Sequence, residues 1–180
     1  MQAIARIRNA EVSDASSINE LVADGRAAYP NFVPGLDETW IERMRQSVTG
    51  DGSIEETREH IRTARDCPEA ALYLSAMIGD VLVGTLYAYT RPVAGARESS
   101  IIDRLFVHGD YRGQGIGRGL LDHCFERWAP PDNPTYLYVV AGNPAARLYQ
   151  RYGFTKVEHQ QIHGMPTDIM VYDWGKENTV

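Results

Sequence analysis

Cysteine is scarce in this chain, with two residues, Cys67 and Cys124, among 180. Neither stands in a C-x-x-C or C-x-x-H pair, so no disulfide framework is suggested and no metal site is expected. Cys124 falls on the apolar face of an expected helix, where a buried thiol is the default reading. No apolar run approaches the length of a membrane span, and Met1 to Arg8 carries no long hydrophobic segment. The expectation that follows is a cytoplasmic protein without a membrane partner. A block of lysine and arginine is also missing. The 18 basic residues face 24 acidic ones, a net charge of −6, which argues against a nucleic-acid partner and agrees with a cationic substrate such as an amine. Internal repeats and low-complexity segments are absent as well.

What is present is ordinary for a globular fold: 43% hydrophobic and 23% charged residues, enough chain for one core and one domain over residues 1–180. In order, the pattern predicts a strand at 3–8 and a helix capped by Ser13 or Asp14, with Ile18, Leu21 and Val22 inward and Gly25 near its end. A loop over 29–37 follows. A short helix carries Trp40, Ile41, Met44 and Val48; residues 49–53 interrupt it, and a charged helix runs from Glu55 to Arg65. Strands are predicted at 71–77 and 81–89 around a turn at Ile78-Gly79-Asp80. Gly84 within the second marks a bulge or a close approach. After a polar loop at 91–98 come a strand at 99–107, a helix at 117–128, a rigid connector at 129–134 and a strand at 136–140. Asn143 as N-cap, Pro144 at the first helical position and Gly153 as stop frame a short helix. A strand at 154–158, a turn at Gly164-Met165-Pro166, a strand at 168–174 and a frayed tail complete the chain. One parallel crossover is expected, from 99–107 through the helix to 136–140.

Glycine is concentrated in one place. Behind the strand that ends Leu105-Phe106-Val107 it recurs at Gly113, Gly115, Gly117 and Gly119, and a helix begins there. Unpaired amides at a helix start, partial positive charge from the dipole and missing Cβ atoms make a place for an anion. Arg112 and Arg118 flank it. The turn has no Gly-Lys-Ser/Thr, and three positions after Gly115 stands Arg118, so neither nucleotide fingerprint fits.

The arrangement Arg112-x-x-Gly115-x-Gly117 after Leu105-x-Val107 resembles the acyl-CoA pyrophosphate loop of the GNAT-type N-acetyltransferases. A second block, Asn143, Ala145 or Ala146, Tyr149 and Gly153-Phe154, is similar to the pattern after that family's fifth strand. The likeness covers the second half of the chain; the first half matches by element order alone. It implies an α/β (α+β) GNAT fold: a mixed, mostly antiparallel sheet of about seven strands, flanked by helices and splayed between the fourth and fifth. It also implies acetyl-CoA as co-substrate, an amine acceptor on a small molecule or peptide, and, as is common in the family, a homodimer through the sheet edge.

The resemblance assigns the pantetheine arm to main-chain groups of Leu105, Phe106 and Val107, paired as an added strand would be. It assigns the diphosphate to Arg112, Gly113, Gln114, Gly115, Ile116, Gly117 and Arg118. Asn143 either touches the coenzyme or only caps its helix, and Tyr152 is packing or a coenzyme neighbour. Tyr149 holds the position of the acid that protonates the departing thiolate, although its spacing with Ala145, Leu148 and Tyr152 also reads as an apolar helix face. An alkyl amine, with a pKa of about 10.4, must shed a proton before attack. Asp103 is the candidate base, acting through a water, with a salt bridge to an arginine as its other reading. Glu98, Tyr87 and His163 are further candidates; His108 reads as structural. Tyr29, Phe32 and Tyr87 are candidate acceptor contacts, and the 29–37 loop either lines the pocket or packs back as a lid. The alternative to an enzyme is a catalytically silent acyl-CoA-binding module. The acceptor itself is not written in the sequence.

Overall fold

Alternation along residues 71–78 places Leu72, Leu74 and Ala76 on one side and Ala71 and Tyr73 on the other, all of them buried. A strand that is apolar on both faces has to be covered on both. The computed structural model, which describes residues 4–91, 99–128, 134–172 and 174, meets that demand with a seven-stranded sheet between two layers of helices. In chain order the elements are β1 (Arg6–Asn9), α1 (Ala15–Arg26), α2 (Glu38–Thr49), α3 (Asp51–Asp66), β2 (Ala71–Ile78), β3 (Val81–Arg91), β4 (Ser99–Val107), α4 (Ile116–Arg127), β5 (Thr135–Val140), α5 (Ala146–Tyr152), β6 (Thr155–Ile162) and β7 (Met165–Tyr172). The sheet order is β1-β2-β3-β4-β5-β7-β6. Among the described strands only β4 and β5 are parallel; every other neighbouring pair is antiparallel. This is the expected mixed sheet with its single parallel step. Leu120, Leu121 and Cys124 of α4 fill one core with Leu74, Leu86 and Ile102. Ile18 and Val22 of α1, Met44 of α2 and Ile61 of α3 fill the other, against Tyr73 and Tyr87.

Several boundaries differ from the sequence reading. Gly50, with extended backbone, is the one residue between α2 and α3. Residues 51–53 do not interrupt the helices but open α3, where Asp51 meets the positive end of the dipole. The second hairpin turns at His163 and Gly164, both at positive φ, as a two-residue connection requires. Pro166 therefore lies inside β7, opposite Gln161, and β6 runs on to Ile162. β7 sits between β5 and β6, which leaves β6 as the sheet edge. Gly84 shows both features predicted for it. A register shift leaves Val83 without a partner beside it, and a Cβ at Gly84 would stand 3.1 Å from Ile116 and 3.2 Å from Leu120 of α4. The predicted loop at 92–98, most of the connector (129–133) and the tail (175–180) lie outside the described residues.

Asp14 does not cap α1 with its side chain. Its carboxylate accepts from Arg8 at 2.8 and 2.9 Å, from the Glu11 amide at 2.9 Å and from Ser75 at 2.9 Å, which ties β1 and the start of α1 to β2. Burial alone would raise its pKa; the bonds from Arg8, Glu11 and Ser75 outweigh that and hold it below the usual carboxylate value. A depressed carboxylate contributes stability above its unfolded pKa and loses it as pH falls through the folded one. Asp14→Asn is expected to lower the thermal midpoint at pH 7. Its difference from wild type should shrink below about pH 4, followed by thermal unfolding across pH.

Candidate active site

β4 and β5 pair over three rungs only: Ser100 with Thr135, Ile101 with Tyr136 and Ile102 with Leu137. At the next residue β4 bulges. Ile102 pairs with Ala88 and Arg104 with Tyr87, so Asp103 has no partner across the ladder. A bulge bends and twists its strand, while β5 stays joined to β7 as far as Val140. The strands part, and a cleft of about 750 Å³ opens between them. Leu105, Phe106 and Val107 form one wall, with Tyr138, Val139 and Val140 opposite. The 29–32 turn borders the cleft: Tyr29 and Phe32 line it, and Tyr29 stacks on Trp40. Phe32 also approaches the backbone at Gly142, so this loop packs across onto the β5–α5 turn and lines the pocket as well.

The glycine turn lies at one end. Gly113 (φ 76°) and Gly115 (φ 82°) adopt the left-handed conformation, with open space where a Cβ would stand. Among the described residues the amides of Gly113 to Arg118 have no hydrogen-bond acceptor. Six uncommitted N–H groups beside the start of α4 suit an anion. Arg112, Arg118, Arg147 and Arg151 also line the cleft. Arg112 donates through Nε to the Val107 carbonyl at 3.0 Å, and Arg118 is exposed beside Asp122. Gln114 turns back onto the Asp110 carbonyl, and Ile116 is buried.

Tyr149 is buried in the wall of the cleft. Burial, with the Tyr29 phenol adding to it, pushes its pKa well above the ordinary tyrosine value. At neutral pH it is a phenol with a proton to give. Asp103 lines the cleft and is half-exposed; Arg104 Nε is 3.7 Å from its Oδ2, an ion pair outside hydrogen-bond distance. The Asn143 side chain accepts from the Ala145 amide at 2.9 Å and so caps the turn before α5; the residue also borders the cleft. Tyr87 is not part of this lining. It stacks between Tyr73, Tyr89 and His60, and burial lifts its pKa to about 12. Tyr152 lies in a separate shallow groove against Phe125. His108 closes the turn after β4 by accepting from the Asp110 amide, the structural role expected of it. His163 is in the hairpin turn, and Glu98 lies outside the described residues.

Residues 69–156 match the family described as Acetyltransferase (GNAT) domain. The match spans 88 of the chain's 180 residues. The chain is similar over its whole fold to the PaiA N-acetyltransferase of Thermoplasma acidophilum, solved in complex with coenzyme A: TM-score 0.73, 19% identity, 96% of this chain and 99% of that one. It is also similar to YncA of Salmonella typhimurium, solved with its cofactor acetyl-CoA: TM-score 0.67, 19% identity, covering 98% and 97%. Among curated proteins, the spermine/spermidine N(1)-acetyltransferase of Bacillus subtilis is 29% identical over 108 residues, 56% of this chain and 70% of that one.

Sequence reasoning missed Tyr138, Arg147 and Arg151 as cleft residues. Arg147 and Arg151 stand four apart on α5, so they share a face, a signal that was readable. Tyr138 faces the gap only because β4 has left, which no local pattern announces. Because Gly115 needs positive φ, Gly115→Ala is expected to cost roughly 1–2 kcal/mol of stability, measured by urea unfolding.

Proposed function

We propose that this chain transfers the acetyl group of acetyl-CoA to a primary amine by direct attack, with Tyr149 as general acid and Asp103 as general base. The observation that carries the reading is the gap between β4 and β5, which leads from six free amides at the start of α4 past the protonated phenol of Tyr149. The CoA and acetyl-CoA complexes of proteins with this fold, and the spermine and spermidine acceptors named for the curated relative, agree with it.

The residues fit the co-substrate. The amides of 113–118 and the neighbouring guanidiniums suit a diphosphate. The unpaired edges of β4 and β5 suit an extended amide-bearing arm, bound as an inserted strand. Acetyl-CoA supplies the acyl group activated as a thioester. Asp103, acting through a water, takes the proton of the incoming ammonium and frees the lone pair. A main-chain N–H in the bulged segment of β4 stabilises the negative charge that develops on the carbonyl oxygen as the C–N bond forms. Tyr149 then gives its proton to sulfur as the C–S bond breaks. Nitrogen sheds two protons in all: Asp103 takes one from the ammonium before attack, and the second, lost from nitrogen as the adduct collapses to the amide, replaces the one that Tyr149 gave to sulfur.

Screening an amine panel by thiol release with acetyl-CoA tests the reading. Tyr149→Phe is expected to lower kcat on the order of 10²–10⁴-fold, with acetyl-CoA affinity by calorimetry unchanged. Binding without transfer to any amine would instead favour a silent acyl-CoA-binding module. The raised pKa of Tyr149 has a second consequence. The acid stays protonated while the amine deprotonates, so kcat/KM in wild type should keep rising past pH 9 with no loss at the usual tyrosine value of about 10.

A further inference from the structure

Behind the bulge runs a chain of hydrogen bonds, part-buried at Arg104 and buried beyond it, that packing alone does not call for. Arg104 donates through Nη1 to Thr57 Oγ1 at 2.9 Å, Thr57 donates to Asn19 Oδ1 at 2.7 Å, and Asn19 Nδ2 donates to the Val48 carbonyl at 2.7 Å. Thr57 and Asn19 are fully buried, 0% and 2% exposed. Val48 lies in the last turn of α2, where carbonyls have no helical partner. The chain therefore joins α1, α2, α3 and β4. Its polarity is fixed link by link. The carbonyl can only accept, so Asn19 presents Nδ2 to it and Oδ1 to Thr57. The one hydroxyl proton of Thr57 is then spent, and its lone pair can only receive Arg104. The position of Nη1 is thereby fixed.

With Nη1 there, Nε lies 3.7 Å from Asp103 Oδ2 and Nη2 3.8 Å from Glu56 Oε2. Tyr73 lies beside the guanidinium, and His60, stacked on Tyr87, faces the same cluster. Burial and Arg104 lower the pKa of His60, against the pull of Glu56 and Asp103, so the cation beside Asp103 is the guanidinium rather than the imidazole. Among the described residues Asp103 makes no hydrogen bond.

We propose that Arg104, locked by Thr57, Asn19 and the Val48 carbonyl, is the positioning residue for Asp103. It holds the bulged carboxylate at the cleft through a charge that the planar fork keeps in place, without hydrogen-bonding it, and leaves both oxygens free for the proton of the amine. This rests on the acetyltransferase reading above. A tighter, bidentate pair would occupy the carboxylate; a free arginine would leave the bulge without an anchor.

Thr57→Val keeps the volume and removes the hydroxyl. It is expected to lower kcat on the order of tenfold or more, with the KM for acetyl-CoA within about twofold of wild type and Thr57→Ser restoring most of kcat. Arg104→Lys, which keeps the charge but loses the planar fork, should fall in the same way. Acetyl-CoA binding by calorimetry verifies that each variant is folded; a Thr57→Val protein that cannot bind leaves the decision to Arg104→Lys. A wild-type kcat in Thr57→Val or in folded Arg104→Lys, equal loss in Thr57→Val and Thr57→Ser, or parallel loss of kcat and acetyl-CoA KM would each overturn the assignment. Wild-type protein that transfers to no amine would overturn the acetyltransferase reading first, and this inference with it.

Discussion

Two parallel strands that pair for three rungs and then separate are the constraint on which the rest depends. Backbone N–H and C=O groups in a protein interior need partners. Past Ile102 the facing edges of β4 and β5 stop supplying each other. Each strand keeps its outer neighbour: β4 stays paired with β3 past the bulge as far as Val107, and β5 with β7 as far as Val140. The gap is thus held open from both sides, and it cannot close without breaking one ladder or the other. A site of this kind is preorganised by the sheet, and the loops around it need only supply chemistry.

Charge is sorted along the same gap. Arg112, Arg118, Arg147 and Arg151 border the cleft that ends in the glycine turn, in a chain whose net charge is −6. Asp103 belongs to the bulge where the strands part, in electrostatic contact with the phenols of Tyr29, Tyr73, Tyr87 and Tyr89. An anionic ligand is favoured near the guanidiniums, and a cationic group near the carboxylate and the aromatic rings. The two partners of the proposed reaction, a diphosphate-bearing thioester and an ammonium, carry these opposite charges.

The sequence made the second half of the molecule readable because its signals are local. Glycines at positive φ, an asparagine and a proline at the start of a short helix, and a glycine stop each act within a few residues, and those elements lie close to where they were predicted. The first half was harder. Residues 51–53 look like a linker and form the first turn of a helix. The second half holds one exception: Pro166 looks like a turn residue and sits in a strand, because the turn was already made by His163 and Gly164. The candidate site divides the same way. Tyr149 could be named from its motif and Asp103 from its place two residues before Leu105, but Thr57 is 47 residues from Arg104 and Asn19 is 38 residues from Thr57. No periodicity links such positions; only the packing of three helices on one face of the sheet brings them together.

The two proton-transfer groups of the proposed reaction, Tyr149 and Asp103, stand in unlike surroundings, and this has a chemical consequence. Tyr149 is enclosed, and an enclosed phenol keeps its proton because the phenolate would be poorly solvated. Asp103 is half in water and, among the described residues, free of hydrogen bonds, so in the proposed reaction a proton taken from the amine can pass to solvent. Had both groups been wet, solvent could have delivered the proton to sulfur and the position of Tyr149 would matter little. Had both been buried, the proton gained from nitrogen would stay beside the product and oppose its release. The bulge solves this with one inserted residue: it turns Asp103 out of the ladder to the open edge of the gap, and the same bend that exposes the carboxylate creates the cleft in whose dry wall Tyr149 stands.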